Sequence, residues 1–226
     1  MRSSVAERAS GGGRGDGWIM SRMQSLLPLT DAIEALERRT GQPISYEDPI
    51  PASAVKAITP RSVPPRGAGA ADELTELVER HRRETGNVFT IERTAFGQHV
   101  IPVGRELPDG GFEPWVALLD VSILPAPGAC EALYAEERAV VPEIPGSRAV
   151  VYAITCLVAA VAASTSFNIM PGSLPTNFVY QKEAALLSCR LPAREHLIAL
   201  LSQLPRRLSW SLFGDEFVAL LHLKLL

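Results

Sequence analysis

The chain is poor in the residues that carry most protein chemistry: 226 residues include only four histidines and three cysteines. Cys130, Cys156 and Cys189 are widely separated and match no CxxC or zinc-ligand spacing, which excludes the common structural zinc modules. An odd number of thiols leaves at most one internal disulfide, and the spacing does not select the pair. As free thiols they read as small buried hydrophobes. An excess of one charge is also missing. A formal net charge of −3 and a pI near 5.9 give no electrostatic case for nucleic acid as a partner. The basic clusters His81-Arg82-Arg83 and Arg206-Arg207 read as last turns of helices, where cations complement the helix dipole. His81 is expected at the edge of its helix. The longest apolar run, 149–163, is shorter than the ~20 residues needed to cross a bilayer, so no transmembrane segment is expected. The first ten residues are polar and glycine follows, with no apolar core of a signal peptide.

What is present is pattern. Hydrophobic residues make up 46% of the chain, enough for a substantial core. Residues 1–26 read as a flexible tail, glycine-rich over 11–17. A helix is expected from an N-cap at Thr30 to Thr40, with Ile33 and Leu36 inward and Gly41 ending it. Strands follow over 43–47 and 54–58. Pro60–Ala70 reads as a loop. Leu74, Leu77, Val78 and His81 mark an amphipathic helix over 72–85, ended by Gly86. Val88–Arg93 and Gln98–Val103 read as paired strands, Gly104–Pro114 as a loop and Trp115–Leu124 as a further strand. A proline-rich connector spans 125–146, with a helix over 130–138. A buried helix then opens at Ser147, and Phe167–Met170 is a short strand. Asn177–Gln181 and Ala184–Cys189 read as one interrupted strand. Pro192 is placed at the first position of a helix that Pro205 stops. Leu208, Trp210 and Leu212 alternate with serines, and Gly214-Asp215 suits a two-residue type II′ turn into an apolar return strand. That return strand, apolar on both faces as far as His222, belongs inside a sheet.

No motif in the chain announces a reaction. Gly13-x-Gly15 lacks the strand and helix of a nucleotide loop, and Arg14-Gly15-Asp16 is a chance adhesion tripeptide. Ser53-x-x-Lys56 lacks the companion motifs of acyl-transfer enzymes. Asp120, Glu143, His99, His196 and His222 are the only acid–base candidates, and none neighbours another at ligand or triad spacing. The expectation is therefore no catalytic, cofactor-binding or metal residues, and no cofactor.

The elements repeat. Helix, strand, strand, helix, strand, strand occurs twice, at offsets near 120 residues. Ile44/Tyr46 falls where Phe167/Ile169 does, Leu74-Leu77-Val78 where Leu197-Leu200-Leu201 does, and Phe89/Ile91 where Trp210/Leu212 does. The fold class is thus α+β, as two pseudo-repeated units of order α-β-β-α-β-β with mixed sheets: 27–124 with an extra strand, and 147–226. The stretch Pro28–Tyr46, a capped helix that ends at glycine and leads into an aromatic-bearing strand, resembles the secretin and TonB N-terminal short domain (STN-like). The helix over 192–204 with its hairpin resembles the second part of the same unit. The resemblance covers 27–58, 72–103 and 147–223. It implies a docking unit of bacterial envelope machines with no catalytic residues, a periplasmic or envelope setting, and a protein partner; such a partner would pair at an open sheet edge or pack on a helix face, and the short strands of small mixed sheets favour the edge. The alternatives are a small enzyme or ligand-binding protein with a site between the halves, or a purely structural protein.

Overall fold

The computed structural model describes residues 29–66, 72–125, 148–214 and 217–226. The tail over 1–26, the connector helix over 130–138, Glu143 and Cys130 lie outside the described residues. The chain is α+β, with helices packed on mixed sheets. Helix α1 runs over 29–40 and Gly41 follows at φ +62°. Leu29 is drawn into the core at 1% exposure, so Thr30 lies within the helix rather than capping it. β1 is Ile44–Glu47, and its residues are all buried because the strand is central. The second strand, β2, is Ile50–Pro51 rather than 54–58. There the chain turns, and Val55 and Ile58 anchor it as buried side chains.

Helix α2, Glu73–Thr85, begins at an Asp72 side chain that accepts from the Thr75 amide and ends at Gly86 with φ 78°. β3 is Asn87–Arg93 and β4 is Gln98–Glu106, longer than the pattern indicates. The expected strand over 115–124 is instead β5, Phe112–Val116, a 3-10 turn at Leu118–Asp120, and β6, Ser122–Ile123. Leu118 and Leu119 are both fully buried, which a strand with alternating faces would not allow here.

After β7, Arg148–Ala149, the apolar helix α3 spans Val150–Thr165, and β8 is Asn168–Pro171. Residues 177–181 are helical, not extended: α4 is Thr176–Gln181. It follows Pro175 and inserts Val179 at 0% exposure. Packing thus overrides the strand preference of Phe178-Val179-Tyr180. β9 (Glu183–Ala184) and β10 (Leu191–Pro192) are two-residue bridges. Helix α5 is Ala193–Ser202, with Pro192 one residue outside it as N-cap. Arg206 and Arg207 therefore fall beyond the helix, in the turn before β11. β11, Leu208–Gly214, and β12, Val218–Leu225, form the closing hairpin.

The strand order is β2-β5-β4-β1-β11-β12-β8, with β3 on the other side of β4. β12 lies inside the sheet, between β11 and β8. β1 runs parallel to β4, and β4 antiparallel to β3. Likewise β8 runs parallel to β12, and β12 antiparallel to β11. The pair Leu212↔Leu221 is Ile91↔Val100 moved by 121 residues at both ends. The halves meet where β1 lies parallel to β11, with Tyr46 beside Ser211 and Glu47 beside Leu212.

That register separates two cores. Side-by-side residues share a face, and successive residues alternate. Tyr46 packs with Ile33, Leu36, Leu74, Val78 and Phe89, under α1 and α2. Leu212, on the opposite face, packs with Trp210, Leu221, Ile154, Leu157 and Leu200, under α3 and α5. The second cluster also takes Ile50, Val55, Ile58, Val116, Leu118, Leu119, Val121 and Ile123 from the first half. β6 pairs with β10, a further tie between the halves.

Candidate functional site

On the α3/α5 face the seam carries charge. One row crosses five strands: Glu92 beside His99, His99 beside Ser45, Ser45 Oγ accepting from the Trp210 amide at 3.3 Å, and Trp210 beside Leu223. The next β1 residue on this face is Glu47, 1% exposed. Arg194, from the first turn of α5, is 3% exposed and donates from Nε to Glu47 Oε1 at 2.8 Å. Its Nη1 donates to Asp120, which also accepts from Arg61 Nε at 2.5 Å and Nη2 at 2.7 Å. Arg61 Nη1 continues to Glu92 at 2.5 Å. Two guanidiniums thus serve three carboxylates.

Burial and pairing act against each other here. Burial pushes the Glu47 carboxyl up, against the charge of Arg194, and Oε2 has no hydrogen-bond donor among the described residues. Burial also opposes ionisation of Asp120, but the Arg61 hydrogen bonds and the Arg194 charge outweigh it and hold this carboxyl below its ordinary value. Burial works against the Arg194 charge as well, and the flanking carboxylates more than offset it.

Asp120 thus bonds to the Arg194 guanidinium and His99 feels its charge, but among the described residues no hydrogen bond joins Asp120 to His99. Burial and the Arg194 charge lower His99 to about 4. Its ring stacks on Trp210 at 4.7 Å, and Nε2 lies 3.1 Å from Thr94 Oγ1. A base so depressed is neutral at ordinary pH. His196 is fully buried on α5, and burial lowers it. His222 lies on β12, where its Nδ1 accepts from the Ser173 amide at 3.1 Å; burial and Lys224 lower it. His81 is not an edge residue: it is 5% exposed, against Phe89 and Asn87. Ser53 and Lys56 are both exposed. Cys156 is buried and disulfide-bonded, whereas Cys189 is free and exposed, which departs from the buried-thiol reading. Among the described residues, no group of three His, Cys, Asp or Glu is placed to hold a metal ion, and no helix is long and apolar enough to cross a membrane.

Two surface features stand apart from this seam. One is backbone: among the described residues β3 pairs only with β4, and β8 only with β12. The other is a cleft of about 360 Å³ at the end of the β3–β4 ladder, lined by Arg66, Arg82, Arg83, Glu84, Arg105 and Glu106 among others. Sequence reasoning picked out Arg82 and Arg83 but not Arg66 and Arg105, which are isolated in the sequence and carry no periodic signal. Comparison with protein-family models, curated proteins and solved structures gives no match to this chain.

Proposed function

We propose that the chain is a non-enzymatic docking module built from two diverged copies of one unit. The unit is similar to the secretin and TonB N-terminal short domain, and a protein partner adds to an open edge of its sheet. The observation that carries this reading is the flank of β3, seven residues that among the described residues are bonded to one neighbouring strand. An unpaired strand edge is a ready template for main-chain hydrogen bonds. The duplication draws support from the common order, β1-β4-β3 and β8-β12-β11, and from the 121-residue shift that relates the two ladders. In each half the related pairs face that half's own helices. A disulfide at Cys156 suits an oxidising compartment, in keeping with an envelope setting.

The test is hydrogen exchange on a purified complex, after cross-linking capture of partners from envelope extracts. Amides 87–93 or 168–170 are expected to gain protection in the complex. Unchanged exchange along both edges refutes the reading, whatever protein is captured.

A further inference from the structure

We propose that the arginine cleft at the end of the β3–β4 ladder binds a carboxylate presented by an extended acidic segment of a partner protein. The inference rests on the docking reading in one respect: the carboxylate is taken to come from a protein.

Four arginines meet two glutamates here, on a chain whose net charge is −3. Glu106 is already committed. It accepts from Arg82 Nε at 3.1 Å and Nη2 at 2.5 Å, and from Arg66 Nη2 at 2.6 Å. Those hydrogen bonds hold its carboxyl below the ordinary glutamate value. The chain's own carboxylate therefore shows how this wall grips such a group, through the planar guanidinium fork. Arg83 and Arg105 are exposed, and neither has an ion-pair partner among the described residues. They are the cations left for a second carboxylate.

The helix dipole accounts for Arg82 and Arg83 in the last turn of α2, but not for Arg66 and Arg105, which come from a loop and from β4. The carbonyl end of α2 would oppose an anion. Two of its terminal carbonyls are already occupied, His81 O by the Thr85 hydroxyl at 2.7 Å and Arg82 O by the Gly86 amide at 2.9 Å. Position completes the case. Gly86 leads directly into Asn87, the first residue of β3, and Asn87 pairs with Arg105. A segment lying along the free flank of β3 would run its end into the cleft. Main-chain pairing would supply affinity, and the arginines would select an acidic end.

The probe is an acetylated, amidated heptapeptide of alternating valine and threonine with glutamate at each end. Its glutamine counterpart and inorganic phosphate serve as comparisons. Titrations of the full chain are followed by NMR through the Arg83 and Arg105 Nε–H resonances and the β3 amides. The glutamate peptide is expected to shift both arginines saturably. Affinity should fall roughly tenfold or more with the glutamine peptide, and equally in the R83Q/R105Q variant. Both positions are exposed, so the variant should melt as the parent does; R83K/R105K, which keeps charge but not the fork, should recover only part of the affinity. Equal binding of the two peptides, binding untouched in R83Q/R105Q, no saturable arginine shift, or phosphate binding as tightly as the glutamate peptide would each overturn the proposal. Arginine shifts without β3 amide shifts would leave the cleft standing and remove the edge-pairing reading. The reverse pattern would do the opposite.

Discussion

Replacing Arg194 with methionine should be among the most damaging single changes outside the apolar cores. The residue is 3% exposed and its side chain bridges Glu47, itself 1% exposed, to Asp120. In R194M, Asp120 keeps its two bonds from Arg61, but Glu47 loses the one cation that hydrogen-bonds it among the described residues. Removing one partner of a buried pair costs about 3–5 kcal/mol, because the stranded charge stays out of water. A domain of this kind has roughly 5–15 kcal/mol in total. Urea melts followed by circular dichroism and by fluorescence of the buried Trp210 would measure the loss. The pH response fixes the cause. Burial raises the Glu47 carboxyl above its ordinary 4.5, and losing Arg194 raises it further. A group raised on folding gives its full stability below the unfolded value and loses it as pH rises through the folded one. The gap between parent and R194M should therefore widen toward neutral pH and narrow as pH falls toward 4.5. The double variant E47L/R194M removes both charges and should recover most of the loss, since well-packed apolar replacements of buried pairs are often neutral. A cost below about 1 kcal/mol for R194M at neutral pH, or a double variant no more stable than the single one, would refute the reasoning.

His99, lowered from 6.5 to about 4, contributes stability that is present above 6.5 and lost as pH falls between those values. The full shift corresponds to roughly 3–4 kcal/mol as an upper bound. His99→Phe, which keeps a ring against Trp210, should flatten that part of the stability–pH curve, and NMR should show the native imidazole untitrated until about pH 4. The two helix-ending glycines should differ on replacement by alanine. Gly41, at φ +62° with nothing within 4 Å of an added Cβ, should cost about 1 kcal/mol of backbone strain. Gly86 should cost clearly more, because its Cβ would lie 2.5 Å from the Glu106 carbonyl oxygen; equal thermal shifts for the two variants would contradict this. Iodoacetamide should modify Cys189 in the native oxidised protein and Cys156 only after reduction. Reduction should lower stability by about 2–4 kcal/mol, read from urea melts with and without reductant.

The elements legible in the sequence are those whose signal is local. The stripe Leu74, Leu77, Val78 and His81 marks α2 and Gly86 ends it, and the apolar run Val218–Leu221 correctly implied an interior strand. Where packing or strand register decides, sequence reasoning fails. The Gly214-Asp215 turn is one such case. Gly214 pairs with Ala219, so the connection is longer than two residues, and an added Cβ at Gly214 would lie 2.9 Å from the Val218 carbonyl oxygen. The glycine answers a close approach of the two strands rather than a tight turn. The segment 177–181 is another, helical because one buried valine outweighs its neighbours' strand preference. The charged seam was least legible of all. Glu47 and Arg194 are 147 residues apart, and neither stands out from its surroundings in the sequence.

Why a seam should carry ions follows from its length. β1 and β11 are registered at only two residue pairs, Tyr46↔Ser211 and Glu47↔Leu212. A strand slipped by one residue turns every side chain to the other face. Here that would drive Glu47 into the apolar cluster of Ile33, Val78 and Phe89, and bring Tyr46 to face a guanidinium. So short a registered stretch penalises such a slip weakly, whereas a carboxylate without its arginine penalises it by several kcal/mol. Asp48 adds to this: its amide donates to the Leu212 carbonyl at 2.8 Å, and its carboxylate accepts from the Gly214 amide at 3.1 Å. A buried pair that adds little net stability can therefore still determine how the halves join. In E47L/R194M this appears as a normal melt accompanied by doubled amide resonances over 44–48; a single sharp set would assign the register to packing alone.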